Sequence, residues 1–256
     1  MSYDNYETIA IEQRESGIMI ITLNQPENLN AVSVKMLQEL TNCWSQLRTD
    51  MDTRVVILNG AGDRGFCAGL SFKDSLPPEQ MKSPPHLFTW LTQLSELQLA
   101  MRKIPQPILC VIHGAASGLG FTFAMASDIR IISPDARFSA SFINLGVGGA
   151  DMGSSYFLPR LLGSATTYDM LLTGRFMDAQ EAMSLGFASY CVEREELMNT
   201  ALQIASNIAS KDPLAIRLTK KAINFNIDCE GLEAALNMEN RNQLIMLQYN
   251  MAKVPK

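Results

Sequence analysis

Residues 108–120 read ILCVIHGAASGLG, an apolar run that leads into a glycine-rich segment. A short continuous apolar run such as Ile108 to Ile112 is typical of a parallel strand that is buried on both faces. Glycine at 114, 118 and 120 lets the backbone approach a ligand closely. Residues 118–126 read as the start of a helix, which directs free N–H groups and a positive dipole end at such a ligand. The segment therefore predicts a strand, a close turn and a helix beside a ligand.

A second glycine-rich segment, GFCAGL at residues 65–70, follows another apolar run, Val55 to Leu58. Each segment taken alone is adequately explained as a tight turn between secondary-structure elements. Two such segments, each placed directly after a predicted buried strand, favour a shared role in binding a ligand through the backbone.

Strand-like runs alternate with helical patterns in the first part of the chain, and helical patterns predominate after about residue 163. The predicted strands are 9–12, 18–23, 55–58, 108–112 and 129–132. The predicted helices are 34–47 with Ser33 as its cap, 96–102, 118–126, 178–184, 195–210, 213–224 and 232–249. This order predicts an α/β core over residues 1–195, which carries the site, and a C-terminal helical region over 196–256, which serves oligomerisation.

Composition and missing motifs exclude several classes of protein. The chain has 256 residues, of which 47% are apolar, and its net charge of -5 argues against a nucleic-acid or anionic-membrane surface. Five cysteines without a C-x-x-C pair, and a polar N-terminus, favour a reducing, cytoplasmic location. The two histidines, His86 and His113, predict no metal site. There is no G-x-S-x-G elbow, P-loop or G-x-G-x-x-G fingerprint, which disfavours hydrolase, kinase and dehydrogenase functions.

Four motifs in order resemble those of the crotonase (enoyl-CoA hydratase/isomerase) superfamily, over about residues 7–250. They are NQPENLNA at 24–31, FCAGL at 66–70, VIHGAASGLG at 111–120 with SDIR at 127–130, and LLTGR at 171–175 with GFA at 186–188. The resemblance implies a spiral of ββα units followed by C-terminal helices. It also implies a homotrimer or a dimer of trimers.

The same resemblance implies an acyl-CoA substrate, with coenzyme A as part of the substrate and no separate cofactor. The backbone N–H groups of Leu70 and Leu119 match the family's oxyanion hole, which stabilises the enolate of the thioester. The family usually has glycine where Leu119 stands. The predicted substrate-binding residues are Asn28, Leu29, Asn30, Ala68, Gly69, Gly118, Thr122 and Phe142.

Two positions depart from the pattern of hydratases in this family, which carry glutamates there. By alignment these positions hold Thr122 and Phe142, and neither side chain can act as a base near neutral pH. The carboxylate that remains nearby is Asp151, which resembles the aspartate of dienoyl-CoA isomerases and the nucleophile of a benzoyl-CoA dehalogenase. The dehalogenase also needs a histidine where this chain has Ser95. The alternative for Asp151 is a helix N-cap.

We therefore expect double-bond isomerisation or related α-proton chemistry, with Asp151 as the proton-transfer group. The alternatives are weak hydration through Asp151 alone and a catalytically inactive acyl-CoA-binding protein. An RNA-binding function fits the acidic composition poorly. Residues 75–85 contain four prolines and are predicted to form a loop that serves as a lid over the site.

Overall fold

The computed structural model describes residues 3, 6–71, 83–229 and 231–253. Its strands are β1 (Ile9–Arg14), β2 (Ile18–Leu23), β3 (Val55–Gly60), β4 (Ile108–Ile112), β5 (Ala115–Ser117), β6 (Ile129–Ile132), β7 (Arg137–Ser139), β8 (Met177–Asp178) and β9 (Tyr190–Cys191). The main sheet has the order β1-β2-β3-β4-β6-β9, in which only β1 and β2 are antiparallel. A small second sheet has the order β5-β7-β8.

The helices confirm most of the periodicity-based predictions. They are α1 (Val34–Leu47), α2 (Pro84–Lys103), α3 (Leu119–Ala126), α4 (Ser154–Leu162), α5 (Ser164–Thr173), α6 (Ala179–Ser184), α7 (Leu197–Ala209), α8 (Pro213–Asn226) and α9 (Leu232–Lys253). The side chain of Ser33 accepts a hydrogen bond from Met36 N at 3.1 Å, as its predicted role as the cap of α1 requires.

Helix α2 begins twelve residues before the predicted start at 96, and this part of the prediction is wrong. Its first two residues are Pro84 and Pro85. Proline is well tolerated in the first turn of a helix, because the N–H groups there have no intrahelical acceptor. The predicted lid, residues 75–85, lies mostly outside the described residues, so its function stays a prediction.

The central strands β2, β3 and β4 are buried on both faces of the main sheet, which explains their continuous apolar sequences. On β2, Met19 and Ile21 belong to the core shared with α1, α2 and α3, whereas Ile18 and Ile20 pack with α7. Each fully buried side chain of this size stabilises the fold by about 1.5–3 kcal/mol. Helix α7 lies after the predicted domain boundary at residue 195, but it packs against the main sheet. The boundary itself remains a prediction.

The C-terminal helical region is present as predicted, and much of it is exposed. No side chain of α9 is buried, and the exposed apolar residues of this helix include Leu232, Leu244, Leu247 and Met251. Among the described helices, none combines the length and hydropathy that crossing a membrane requires.

Candidate functional site

The two glycine-rich segments after β3 and β4 are joined by backbone hydrogen bonds. Cys67 N donates to Ala115 O at 3.1 Å, and Ser117 N donates to Cys67 O at 3.0 Å. Gly69 has a φ of +102°, and a Cβ there would lie 2.9 Å from Ser117 O and 3.4 Å from Leu119 N. A side chain at Gly69 would therefore strain the backbone and collide with the second segment. The structure thus unites these segments in one close junction.

Leu70 and Leu119 both present backbone N–H groups at this junction. Val32 N donates to Gly69 O, and Ser71 N donates to Val32 O, so the N–H of Leu70 between them points away from Val32. Leu119 is the first residue of α3, where a helix leaves N–H groups without intrahelical acceptors. Within the described part of the chain, neither N–H has a hydrogen-bond acceptor. The arrangement can accommodate an oxyanion, and that role stays a prediction.

Helix α3 is anchored at its other end by the Asp128-Ile129-Arg130 segment. The buried guanidinium of Arg130 donates from Nη1 to Ala124 O at 3.2 Å and to Ser127 O at 2.8 Å. Asp128 Oδ2 accepts a hydrogen bond from Ile108 N at 2.8 Å, at the start of β4. These contacts satisfy carbonyls at the end of α3 and fix the helix relative to β4. Asp128 therefore has a structural role at this end of α3.

The turn at residues 24–31 is attached to the first glycine-rich segment by Asn30. The Asn30 side chain is fully buried, and its Nδ2 donates to Phe66 O at 3.0 Å. Leu29 O accepts from Ala68 N at 3.0 Å. Asn28 and Ala68 are exposed, whereas Asn30 contacts protein groups and holds the turn in place. The predicted substrate contacts of these four residues remain untested.

Thr122 lies inside α3 and has no exposed surface. Its Oγ1 donates to Leu119 O at 2.8 Å and lies 2.8 Å from the side-chain amide of Gln98. The hydroxyl is therefore already occupied by protein groups one turn behind the Leu119 N–H. The structure places this predicted site residue in the wall of the site rather than on its surface.

Phe142 covers the start of α3 from a 3-10 helix, Ser141–Leu145. Its Cε1 atom would lie 3.7 Å from a Cβ at Gly118, and the side chain is almost fully buried. A chain of hydroxyl groups lies alongside, with Ser117 Oγ 2.7 Å and Ser139 Oγ 2.8 Å from Ser141 Oγ. Ser139 and Ser141 lie outside the motifs, and isolated serines carry no characteristic spacing that would predict them.

Asp151 is half-buried just before α4, which packs against α3. The N-cap of α4 is Gly153, and Asp151 Oδ1 accepts instead from Met152 N at 2.8 Å. Asp151 N donates to Ser154 Oγ at 3.1 Å. The alternative interpretation of Asp151 as a helix N-cap is therefore wrong. Its second oxygen, Oδ2, accepts no hydrogen bond from the described residues.

Other reactive side chains near the junction are buried or distant. Burial raises the pKa of the Cys67 thiol to about 12, so it stays protonated near neutral pH. His113 is buried, and burial lowers the pKa of its imidazole, with Arg194 acting in the same direction. His86 is exposed on α2 beside Ser83. Among the described residues, no group of three or more His, Cys, Asp or Glu side chains could hold a metal ion.

Comparisons with known proteins agree on one family. Residues 13–253 match the family model described as enoyl-CoA hydratase/isomerase. A Mycobacterium leprae protein named "Probable enoyl-CoA hydratase echA12" is 34% identical over 243 residues, which cover 94% of this chain and 82% of that protein. The 1,2-epoxyphenylacetyl-CoA isomerase of Escherichia coli is 33% identical over 229 residues, 90% of this chain and 86% of the other.

A solved structure extends the comparison to the fold. The crystal structure of an enoyl-CoA hydratase from Bacillus anthracis superimposes with a TM-score of 0.86, at 30% identity and over 98% of both chains. The predicted crotonase-like α/β fold is thereby confirmed.

Proposed function

This chain belongs to the enoyl-CoA hydratase/isomerase family, and we propose that it moves a double bond, or carries out related α-proton chemistry, on an acyl-CoA thioester. The observation that carries the proposal is a pair of backbone N–H groups, at Leu70 and Leu119, with no acceptor among the described residues. Asp151 offers a carboxylate oxygen that no described group occupies. These groups suit a reaction through an enolate.

The two N–H groups would bind the thioester oxygen of the substrate. When a proton leaves the α or γ carbon, negative charge develops on that oxygen, and each donor is then worth about 3 kcal/mol of transition-state stabilisation. Leu119 stands at the N-terminal end of α3, where the helix dipole also favours negative charge. A leucine in place of the family's usual glycine retains the backbone N–H, and its side chain is buried in the core.

Asp151 would transfer the proton. Its carboxylate accepts the proton from one carbon while the electron pair moves into the conjugated thioester, and the same proton is then returned to the other carbon. No water, oxidant or other co-reactant is consumed, so one carboxylate suffices. Hydration differs, because it normally needs one group for the attacking water and another for the α carbon.

Hydration is the second candidate, and the name of the M. leprae relative favours it. The positions of the two hydratase glutamates hold Thr122 and Phe142, of which the first is fully buried and the second nearly so. Water activation would then fall to Asp151 alone, which supports slow hydration at most. A protein that only binds acyl-CoA is the remaining alternative, since it needs the N–H groups but no base.

We also propose that the protein is a homotrimer or a dimer of trimers. The support is the exposed apolar surface of α9, with Leu232, Leu244, Leu247 and Met251, and the exposed Phe225 near the end of α8. Exposed apolar surface of this extent is typical of subunit contacts. A monomer by light scattering at micromolar concentration would contradict this part of the proposal.

NMR can follow the conversion of three sets of acyl-CoA thioesters: 2-enoyl, 3-enoyl, and 2,4- or 3,5-dienoyl thioesters. Isomerisation predicts that a 3-enoyl or dienoyl thioester changes its double-bond position without gaining a hydroxyl. Faster conversion of 2-enoyl thioesters into 3-hydroxyacyl products would instead establish hydration. Binding of all three sets without any turnover would establish the non-catalytic alternative.

A further inference from the structure

A cavity of about 910 Å³ lies between α2, the C-terminal end of α3, α4 and α8. Pockets for small molecules in proteins typically measure about 300–1,000 Å³. The apolar wall of this cavity includes Leu99, Met125, Phe157, Leu161, Ile216 and Ile223. Such a wall suits a hydrocarbon chain.

The charged side chains that line the cavity are mostly cationic. Five are Arg or Lys and two are Asp, which gives the lining a net charge of +3, although the whole chain carries -5. The cations are Arg102, Lys103, Arg130, Arg160 and Lys220, and the carboxylates are Asp128 and Asp228. A concentration of positive charge on an acidic protein indicates an anionic ligand.

The innermost charges share one carboxylate between two cations. Asp128 Oδ1 lies 3.0 Å from Arg102 Nη1, and Asp128 Oδ2 lies 2.7 Å from the Nζ atom of buried Lys220. Arg102 also donates to Ala126 O and Asn224 Oδ1, yet its Nε–H has no acceptor among the described residues. One positive charge and at least one N–H donor are thus left over. A partly buried surplus charge is unfavourable until an anion pairs with it.

This cavity adjoins the candidate active site. Met152 and Gly153, which follow Asp151 directly, line it, and so does Gln98, whose amide contacts Thr122. An acyl chain held at the Leu119 N–H and passing Asp151 therefore leads towards this space. Methionine is flexible enough to move aside for such a chain.

The distance from the oxyanion position to the cationic wall sets the chain length. Arg102 Nη1 lies 3.3 Å from Ala126 O, and Ala126 is seven residues beyond Leu119 on α3. Seven residues of helix rise about 10 Å. An extended chain of single bonds advances about 1.2 Å per bond, so about eight to ten carbons span the gap.

We propose that this cavity receives the distal end of the acyl chain and that Arg102, together with Lys220, binds a terminal carboxylate there. The substrate class is then a medium-chain acyl-CoA with a carboxylate at the far end of the chain. The inference rests on the proposed function, because it takes the thioester to lie at Leu70 and Leu119. A purely structural role for the ion cluster, which fastens α8 to the core, predicts no such preference.

Binding by calorimetry tests the proposal without any need for turnover. The probes are two saturated ten-carbon thioesters, decanoyl-CoA and its counterpart with a terminal carboxylate, which the proposed reaction cannot convert. The wild-type protein is expected to bind the carboxylated thioester at least about tenfold more tightly, since a buried charge pair replaces an unpaired charge. Equal affinities, or tighter binding of decanoyl-CoA, would overturn the proposal.

Two variants locate the effect, and thermal melting checks that each is folded. Arg102→Gln removes the surplus charge, and the ratio of the two affinities is expected to fall to near one. Ile223→Glu places a carboxylate on the exposed rim of the cavity, leaves the ion cluster intact, and is expected to weaken binding of the carboxylated thioester more than that of decanoyl-CoA. Ile223→Gln and Lys221→Gln, the latter on an exposed residue outside the lining, are the matched controls and should keep the wild-type ratio.

The remaining outcomes are also decisive. Free decanedioate that binds as tightly as the carboxylated thioester would overturn the proposal, because the cavity would then be a separate carboxylate site. A wild-type ratio retained in both Arg102→Gln and Ile223→Glu would assign the preference to another part of the protein and would equally overturn it. Failure of the proposed function looks different: the tenfold preference would persist while no enoyl- or dienoyl-CoA is converted.

Discussion

Replacing Asp151 with asparagine removes a carboxylate from the site while leaving the local hydrogen bonds possible. In the wild-type protein, Asp151 Oδ1 accepts from Met152 N at 2.8 Å, and Asp151 N donates to Ser154 Oγ. The amide oxygen of asparagine can accept the first bond, and the second uses the backbone N–H of residue 151, which the substitution keeps. The substitution therefore changes the proton affinity of the group and little else.

The expected effects on turnover and on stability differ greatly in size. Loss of a proton-transfer group lowers turnover by about 100-fold or more, which corresponds to about 2.7 kcal/mol of barrier. Since the hydrogen bond from Met152 N is retained, the free energy of unfolding should change by less than about 0.5 kcal/mol. For a chain of this size that corresponds to a shift of about 1–2 °C in Tm.

The assay is turnover of the best enoyl- or dienoyl-CoA substrate, measured beside thermal melting and the affinity for a saturated thioester. Affinity should persist, because Leu70 and Leu119 still offer their N–H groups. Asp178→Asn is the matched control, since Asp178 is an exposed cap whose Oδ1 accepts from Glu181 N at 2.8 Å. Full turnover in Asp151→Asn would refute Asp151 as the proton-transfer group and would leave the family and the fold unaffected.

Three further perturbations test the frame of the site. Gly69→Ala places a Cβ 2.9 Å from Ser117 O at a backbone φ of +102°. We therefore expect the unfolding free energy to fall by about 1–3 kcal/mol and turnover to decrease. An unchanged chemical denaturation curve would contradict this expectation. Arg130→Met leaves the carbonyls at the end of α3 without their donor and should lower stability by about 2–4 kcal/mol; a loss below about 0.5 kcal/mol would contradict the anchoring role. Burial raises the pKa of Glu39, but hydrogen bonds from Thr8 and from neighbouring backbone N–H groups outweigh burial, so the pKa in the folded state is lowered. The ionised Glu39 side chain therefore stabilises the fold fully above about pH 4.3, and this stabilisation is lost as the pH falls through the folded-state pKa. Urea unfolding at pH 6 and at pH 3 should therefore show a smaller acid-induced loss of unfolding free energy for Glu39→Gln than for the wild type. Equal losses of unfolding free energy would contradict this role of Glu39.

Much of the fold follows from local patterns, because the forces that set these elements act within a few residues. Helix α1 has the predicted bounds, Val34–Leu47, since a regular apolar face and the Ser33 cap both lie within the segment. The strands β2 and β4 also have their predicted bounds, because burial on both faces produces an uninterrupted apolar run. In each case the residues that determine the bounds of the helix or strand lie within it or next to it.

The parts that could not be predicted depend on contacts between distant residues. Arg102, Asp128 and Lys220 form one ion cluster, yet they are separated by 26 and 92 positions in the chain, and no spacing rule connects them. The alternative interpretation of Asp151 as an N-cap is wrong for a local reason. Aspartate is a favoured N-cap residue, but a left-handed Gly153 takes that position, and Asp151 Oδ1 accepts from Met152 N instead.

Helix α3 is central to the proposed enolate chemistry, which does not use the hydratase carboxylates. All eight of its residues are buried, so its side chains give the site almost no polar surface. At the glutamate position, the Thr122 hydroxyl is buried and contacts Leu119 O and the Gln98 amide. What α3 does provide is the N–H of Leu119, held in place by Arg130 at the opposite end of the helix. In the proposed mechanism, stabilisation of the thioester oxygen depends on backbone geometry, which does not require a carboxylate at 122 or 142. The proposal then assigns the choice of reaction to the carboxylate nearest the acyl chain, for which Asp151 is our candidate.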